Sequence, residues 1–165
     1  MTRNNGFTIL ELLLYIGVTA LMLSTIISFF FLFINGRTHN NAQREVEQQG
    51  GVIMQFIQDS IQQASSVTTP TPSNQGDVLE VSMYDVDYGT RTISIEHTDL
   101  IVEDLSGVYT LNSDTVEVSG LSFTNVASGT TRDSITVSFT VSTHNISGRS
   151  EYAYADTFTS TFTRR

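Results

Sequence analysis

The chain has 165 residues, no cysteine, and a formal charge of −9, with eight arginines and no lysine. Disulfide staples, thiolate metal sites and cysteine nucleophiles are excluded. So acidic a surface repels phosphate backbones, which argues against nucleic-acid binding.

Charge is unevenly placed. Leu12 to Ile34 holds no charged residue, whereas Asp77 to Glu117 holds ten acids and one Arg. The apolar run would span about 35 Å as a helix, slightly more than a bilayer core of roughly 30 Å. It exceeds the core of a cleaved secretory signal, about 7–15 residues, and a cut after the small-x-small candidate at 18–20 would leave too short an apolar stretch before it. Gly17, Ser24, Thr25 and Ser28 are of the small and hydroxylated kind that marks helix–helix contact. An ordinary signal anchor explains the length but gains nothing from Glu11, whose carboxylate costs up to about a few kcal/mol if drawn into the membrane. Arg3 and the terminal amine on one side, with Arg37 and Arg44 on the other, leave the orientation undecided.

Arg3 in a short leader, then Gly6, Phe7, Thr8, two aliphatics, Glu11 and a long apolar helix: this order resembles the N-terminal signature of type IV pilins and type II secretion pseudopilins, closely over 6–16. The resemblance implies that residues 1–6 are a leader and 7–34 a transmembrane and fibre-core helix. It implies cleavage between Gly6 and Phe7 by a membrane prepilin peptidase, and N-methylation of the new amine of Phe7. Gly6 suits such a cut because a residue without Cβ allows close backbone approach. The implied partners are the peptidase, other pilin or pseudopilin subunits, an inner-membrane assembly platform, and membrane lipid before assembly. Glu11 would then lie one helical turn from the amine of Phe7, in its own subunit or a neighbour's. Two charges costly apart in a low dielectric cost less together, and the pairing would set axial register. There are departures from the pattern. No proline precedes Pro70, and without cysteine no disulfide can close a C-terminal loop. Both suit a minor pilin or pseudopilin better than a major pilin.

Residues 35–41, NGRTHNN, are a polar break where Asn35-Gly36 is placed to stop or loosen a helix. Ala42, Val46, Ile53, Phe56, Ile57, Ile61 and Ala64 then recur at helical spacing, so 35–67 reads as an amphipathic helix, with Gly50-Gly51 as an interruption or bend. A helix over 7–66 would be on the order of 90 Å long. TTPTPSNQG, 68–76, reads as a linker.

From Asp77 the period becomes two. Val78 to Met83, Thr92 to Glu96, Val108 to Leu111, Val116 to Val126, Ile135 to Val141 and Tyr152 to Phe162 predict six or seven short strands. The fold class is α+β, pilin-like: a long N-terminal helix, half transmembrane and half amphipathic, packed under an antiparallel β-sheet domain over 77–165 with a Ser/Thr/Asp face to water. The layout VEVSGLSFTNV, SITVSFTVS and TFTSTFTRR is similar to that of J-type minor pseudopilins and their minor-pilin relatives.

No catalytic constellation stands out. His39, His97 and His144 are scattered, and there is no Gly-x-Ser-x-Gly elbow or phosphate-cradling glycine loop. Asp85, Asp87, Asp99 and Glu103, with Asp104 and Asp114, are candidate calcium ligands, although YDVDYG is not an EF-hand loop. Asn145-Ile146-Ser147 fits a glycosylation acceptor. The expectation is a non-enzymatic subunit without cofactor, made as a single-pass membrane precursor with its sheet domain outside the cytoplasm and reaching the surface on assembly. The alternative is a membrane-tethered binding module that never polymerises.

Overall fold

A computed structural model of the chain describes residues 8–85, 87–127, 132–146, 148 and 152–164, with backbone alone at 34–39. The chain divides into two units after residue 38. One helix, α1 (Ile9–Gln62), supplies the first unit and opens the second. Its assignment passes through both places where a break was expected. Asn35-Gly36 does not end it, nor does Gly50-Gly51. A glycine in a helix interior costs only about 1 kcal/mol relative to Ala, which flanking residues of good propensity offset.

Gly50 forms a notch in the helix. It is buried, and a Cβ there would lie 2.6 Å from Phe158 Cε1 and closer still to Cζ and Cε2. Gly51 on the next face has nothing within 4 Å. Glycine at 50 lets an aromatic ring rest directly on the helix backbone.

The helix ends at Gln62, short of the expected 67, and the chain enters a strand at Ala64. Ser65, Ser66, Val67, Thr68 and Thr69 are hydroxylated or β-branched, which weakens a helix and suits a ladder. β1 (Ala64–Thr69) pairs antiparallel with β3 (Leu79–Met83). The predicted linker is therefore partly structured. Thr69 belongs to β1, the Thr69–Pro70 peptide is cis, and 75–76 form β2 (Gln75–Gly76). Asn125 holds the intervening turn, its Nδ2 donating to Pro70 O at 3.0 Å and its O accepting the Ser73 N–H at 2.9 Å.

The remaining strands are β4 (Thr90–Glu96), β5 (Asp99–Asp104), β6 (Gly107–Thr110), β7 (Val116–Asn125), β8 (Ser134–Thr143) and β9 (Ala155–Thr163). They form two antiparallel sheets, a five-stranded one in the order β1-β3-β4-β5-β6 and a four-stranded one in the order β2-β7-β8-β9. The six predicted period-two runs fall on β3, β4, β6, β7, β8 and β9 with their ends shifted by a few residues, and β5 was not among them. Tyr152 and Tyr154 fall before β9, and Val126 after β7.

Both sheets turn an apolar face to one core. From α1 come Val46, Ile53, Ile57 and Ile61, all fully buried at steps of seven, four and four. Leu79, Val81, Ile93, Leu100 and Val102 meet them from the first sheet, and Val118, Phe123, Ile135, Val137, Phe139 and Val141 from the second. This alternation of buried and part-exposed residues is the signature of sheets wet on one side. The sheets are tied directly where Thr98 O, at the β4–β5 turn, accepts the Val118 N–H at 2.8 Å.

Candidate functional site

The first candidate is the start of α1. Ile9–Phe33 is long and apolar enough to cross a membrane, with mean hydropathy 2.3, and none of its most apolar window is covered by the rest of the chain. Three of its four Ser and Thr hydroxyls bond back to the helix. Thr19 donates to Tyr15 O at 2.5 Å, Thr25 to Met22 O at 2.8 Å, and Ser28 to Ser24 O at 2.9 Å. Such back-bonding spares these three O–H groups the penalty of an apolar surrounding.

Glu11 stands in the first turn of this helix. Thr8 Oγ1 accepts the Glu11 N–H at 3.3 Å, and Thr8 O accepts the Leu12 N–H at 3.1 Å. Thr8 is therefore the N-cap and Glu11 the third helical residue, the T-x-x-E spacing of a capping box. A carboxylate there also meets the positive end of the helix dipole. Sequence reading isolated Glu11 as a lone charge and missed this local role, although the four residues that show it were in view. Gly6 and Phe7, with the rest of the leader, lie outside the described residues.

The second candidate is a polar cluster buried between helix and sheet. Arg91, at an inward position of β4, sends Nη1 to Ser60 Oγ of α1 at 3.1 Å and Nη2 to Asp104 Oδ2 at 3.1 Å, with Nε 3.3 Å from the same oxygen. Its guanidinium carbon lies over two rings, 5.1 Å from the centroid of Phe56 and 5.0 Å from that of Tyr88. The Asp104 side chain is wholly buried. Its Oδ1 accepts the Ser106 N–H at 2.9 Å and the Ser106 hydroxyl, and Tyr109 Oη lies 3.5 Å from Oδ2. The Ser106 hydroxyl holds the Asp104 carboxyl below its ordinary value; burial opposes this, and the Ser106 N–H and Arg91 reinforce it. Burial raises the Tyr109 phenol, with Arg91 pulling the other way. Both carboxylate oxygens are engaged, so the cluster has no acceptor free for a substrate. It fastens the helix to the first sheet.

A cleft of about 340 Å³ opens where the sheets meet, beside Asp77, Ser94, Ile95, His97 and Ser119. Its rim contains two left-handed residues, His97 at φ 60° in the β4–β5 turn and Gly120 at φ 62° in the β7 bulge. The two-residue turn accounts for the first, since hairpins of that length favour positive φ.

The other predicted residues stay apart. Asp85 Oδ1 caps its own turn by accepting the Asp87 N–H at 3.0 Å. Asp99 Oδ1 accepts Asn112 Nδ2 at 3.2 Å, and Glu103 is an exposed residue of β5. Among the described residues no three His, Asp or Glu side chains are grouped as a metal requires, so the calcium candidates Asp85, Asp87, Asp99 and Glu103 are not assembled. His144 Nδ1 lies 2.5 Å from Glu117 Oε1 on the surface. The His39 side chain and Ser147 fall outside the described residues.

Sequence reading also passed over Asn112, which is buried. Its Oδ1 accepts the Leu100 N–H at 2.7 Å, and its Nδ2 donates to Val116 O at 3.0 Å.

Fold and site together define an α+β protein with a membrane-length N-terminal helix leading into two antiparallel sheets. No family model, no curated protein and no solved structure matches the chain.

Proposed function

We propose that the chain is a non-enzymatic subunit, of minor type, of a type IV pilus or type II secretion pseudopilus. In this reading it is cut after Gly6, methylated at Phe7 and assembled through the first half of α1, with the sheet domain facing outward. The observation that carries the reading is the placement of Glu11. It is the one charged residue of the apolar, unburied stretch Ile9–Phe33 and stands in the first turn of α1. Lipid would cover such a helix before assembly. Neighbouring helices would cover it in a fibre, where the amine of a processed neighbour gives Glu11 an opposite charge.

The membrane-tethered module is favoured by one observation: Glu11 stands in the first turn behind the Thr8 N-cap, where a carboxylate has a local use at the positive end of the helix dipole. The two roles separate chemically. Glu11→Gln keeps the side-chain acceptor that a capping box uses but removes the charge, whereas Glu11→Ala removes both. A fibre subunit loses incorporation in both variants. Incorporation of Glu11→Gln at the wild-type level would reduce Glu11 to a cap. The same cells, with an active prepilin peptidase, give the second measurement. Mass spectrometry of the mature protein should find a methylated Phe7 at its start, and an intact Met1 would overturn the assignment.

A further inference from the structure

Four strands edge the two sheets: β1 and β6 in one, β2 and β9 in the other. An edge offers unpaired N–H and C=O groups, and proteins keep edges short, bulged, charged or covered. Three of these four comply. β1 has two register shifts against β3, β2 has two residues, and β6 has four. β9 differs. It runs nine residues without a register shift against β8. It contains no Pro, Gly, Lys or Arg, and one acid, Asp156.

Its free backbone groups have a defined direction. The Thr157 N–H donates to Asp156 Oδ1 at 2.8 Å and so is not used by β8. By the alternation of an antiparallel ladder, the backbone groups of Thr159, Thr161 and Thr163 lie on the same open side. The side chains agree. Thr140–Thr157, Ser138–Thr159, Thr136–Thr161 and Ser134–Thr163 pair their hydroxyls at 2.8 to 3.1 Å, as suits the close approach of non-hydrogen-bonded pairs.

That edge reads TFTSTFT over 157–163, the same in either direction about Ser160. We infer that β9 pairs antiparallel with β9 of a second copy, on a two-fold axis through Ser160, making the two four-stranded sheets continuous. In this register Thr157 faces Thr163, Thr159 faces Thr161, Phe158 faces Phe162, and Ser160 faces its own equivalent. The outward backbone groups of the threonines form the hydrogen-bonded pairs, the Thr157 N–H exchanging Asp156 Oδ1 for Thr163 O of the second copy, and the hydroxyl rows of the outer face continue across the junction. The flanking charges are complementary, because the same register sets Asp156 opposite Arg164 at both ends. Arg164 Nε already lies 3.3 Å from Asp133 Oδ2, so Asp156 adds a second acid rather than neutralising a free cation. A two-fold interface uses one patch twice, and a palindromic edge makes every pair like with like within it. The pairing does not depend on cleavage after Gly6, so it stands or falls separately from the fibre role.

The absence of native cysteine makes disulfide trapping in the full-length chain, in detergent micelles, a direct test of register. Ser160→Cys sets two thiols across the axis. Thr157→Cys alone sets them six residues out of register, about 20 Å apart along the strands, out of disulfide reach. Mild oxidation should give covalent dimer from Ser160→Cys at least roughly tenfold faster than from Thr157→Cys. A mixture of Thr157→Cys and Thr163→Cys chains should cross-link with each other. Thr159→Lys with Thr161→Lys, added to Ser160→Cys, places like charges face to face and should abolish the dimer. Equal yields from Ser160→Cys and Thr157→Cys would mean association through the apolar helices alone and would overturn the proposal. Absence of a Ser160→Cys dimer would overturn it as well.

Discussion

Replacing each of two adjacent glycines in α1 by alanine should move stability in opposite directions. In a helix interior Ala is favoured over Gly by about 1 kcal/mol. At Gly51 nothing lies within 4 Å of the new methyl, so Gly51→Ala should realise that gain. At Gly50 the methyl falls on the tip of the Phe158 ring. That ring is stacked on Phe139, with centroids 5.6 Å apart and planes at 19°. It can swing away only by giving up the stack, about 0.5–1.5 kcal/mol, and overpacking a fitted contact costs about 1–3 kcal/mol. After the propensity gain, Gly50→Ala should lose about 1–3 kcal/mol, leaving the variants about 2–4 kcal/mol apart. Urea unfolding of the full chain in detergent, followed by far-UV circular dichroism, reads the two midpoints at unchanged slope. A double-mutant cycle adds a control. In a Phe158→Ala background the penalty at Gly50 should largely vanish. Equal midpoints for the two alanine variants, or an undiminished penalty without the ring, would refute the notch.

Asp104→Asn leaves the buried Arg91 without its counter-charge and should destabilise the sheet domain by about 3–5 kcal/mol at neutral pH. Because the folded-state carboxyl titrates below its ordinary 3.8, its contribution is complete above that value and lost as pH falls through the lower folded value. Acid titration of wild type should therefore show a loss of stability below about pH 4 that Asp104→Asn lacks. Asn125→Ala unfastens the turn after β1, and limited proteolysis should then cut within 70–74 at a rate the wild type does not show. The lost buried hydrogen bonds should cost about 1–3 kcal/mol in the same urea assay.

The fold was legible where periodicity alone decides. Val46, Ile53, Ile57 and Ile61 announce one helix face, and Ile135, Val137, Phe139 and Val141 one strand face, because burial on a single side leaves a repeat that survives any partner. The errors share a cause. Asn35-Gly36 and Gly50-Gly51 read as breaks because a glycine's intrinsic penalty is visible in sequence, while the ring that makes Gly50 useful is more than a hundred residues away. The strand at Ala64–Thr69 was hidden because its register depends on β3, across the turn that Asn125 holds. Arg91 was nearer to hand. One cation among ten acids, alternating with Ile93 and Ile95, occupies an inward position and requires a buried acid, but only the fold selects Asp104 from the ten.

Glu11 shows the same limit at the functional end. That an acid interrupts an apolar run is plain from composition, and that Thr8 stands three residues before it is plain from spacing. Neither says what lies outside the helix. The uncovered surface of Ile9–Phe33 supplies the constraint. Apolar area on that scale is costly in water, and in the proposed reading lipid or other helices cover it. In lipid the cap suffices, because the first turn can sit at the interface, where a carboxylate keeps its hydration. Within a bundle of helices the interface is gone, and an ionised acid persists only if a cation comes with it. Loss of the charge costs a cap only the dipole contribution, about 0.3–1 kcal/mol, and costs a bundle its ion pair, so the response to Glu11→Gln depends on which surrounding the helix finally occupies.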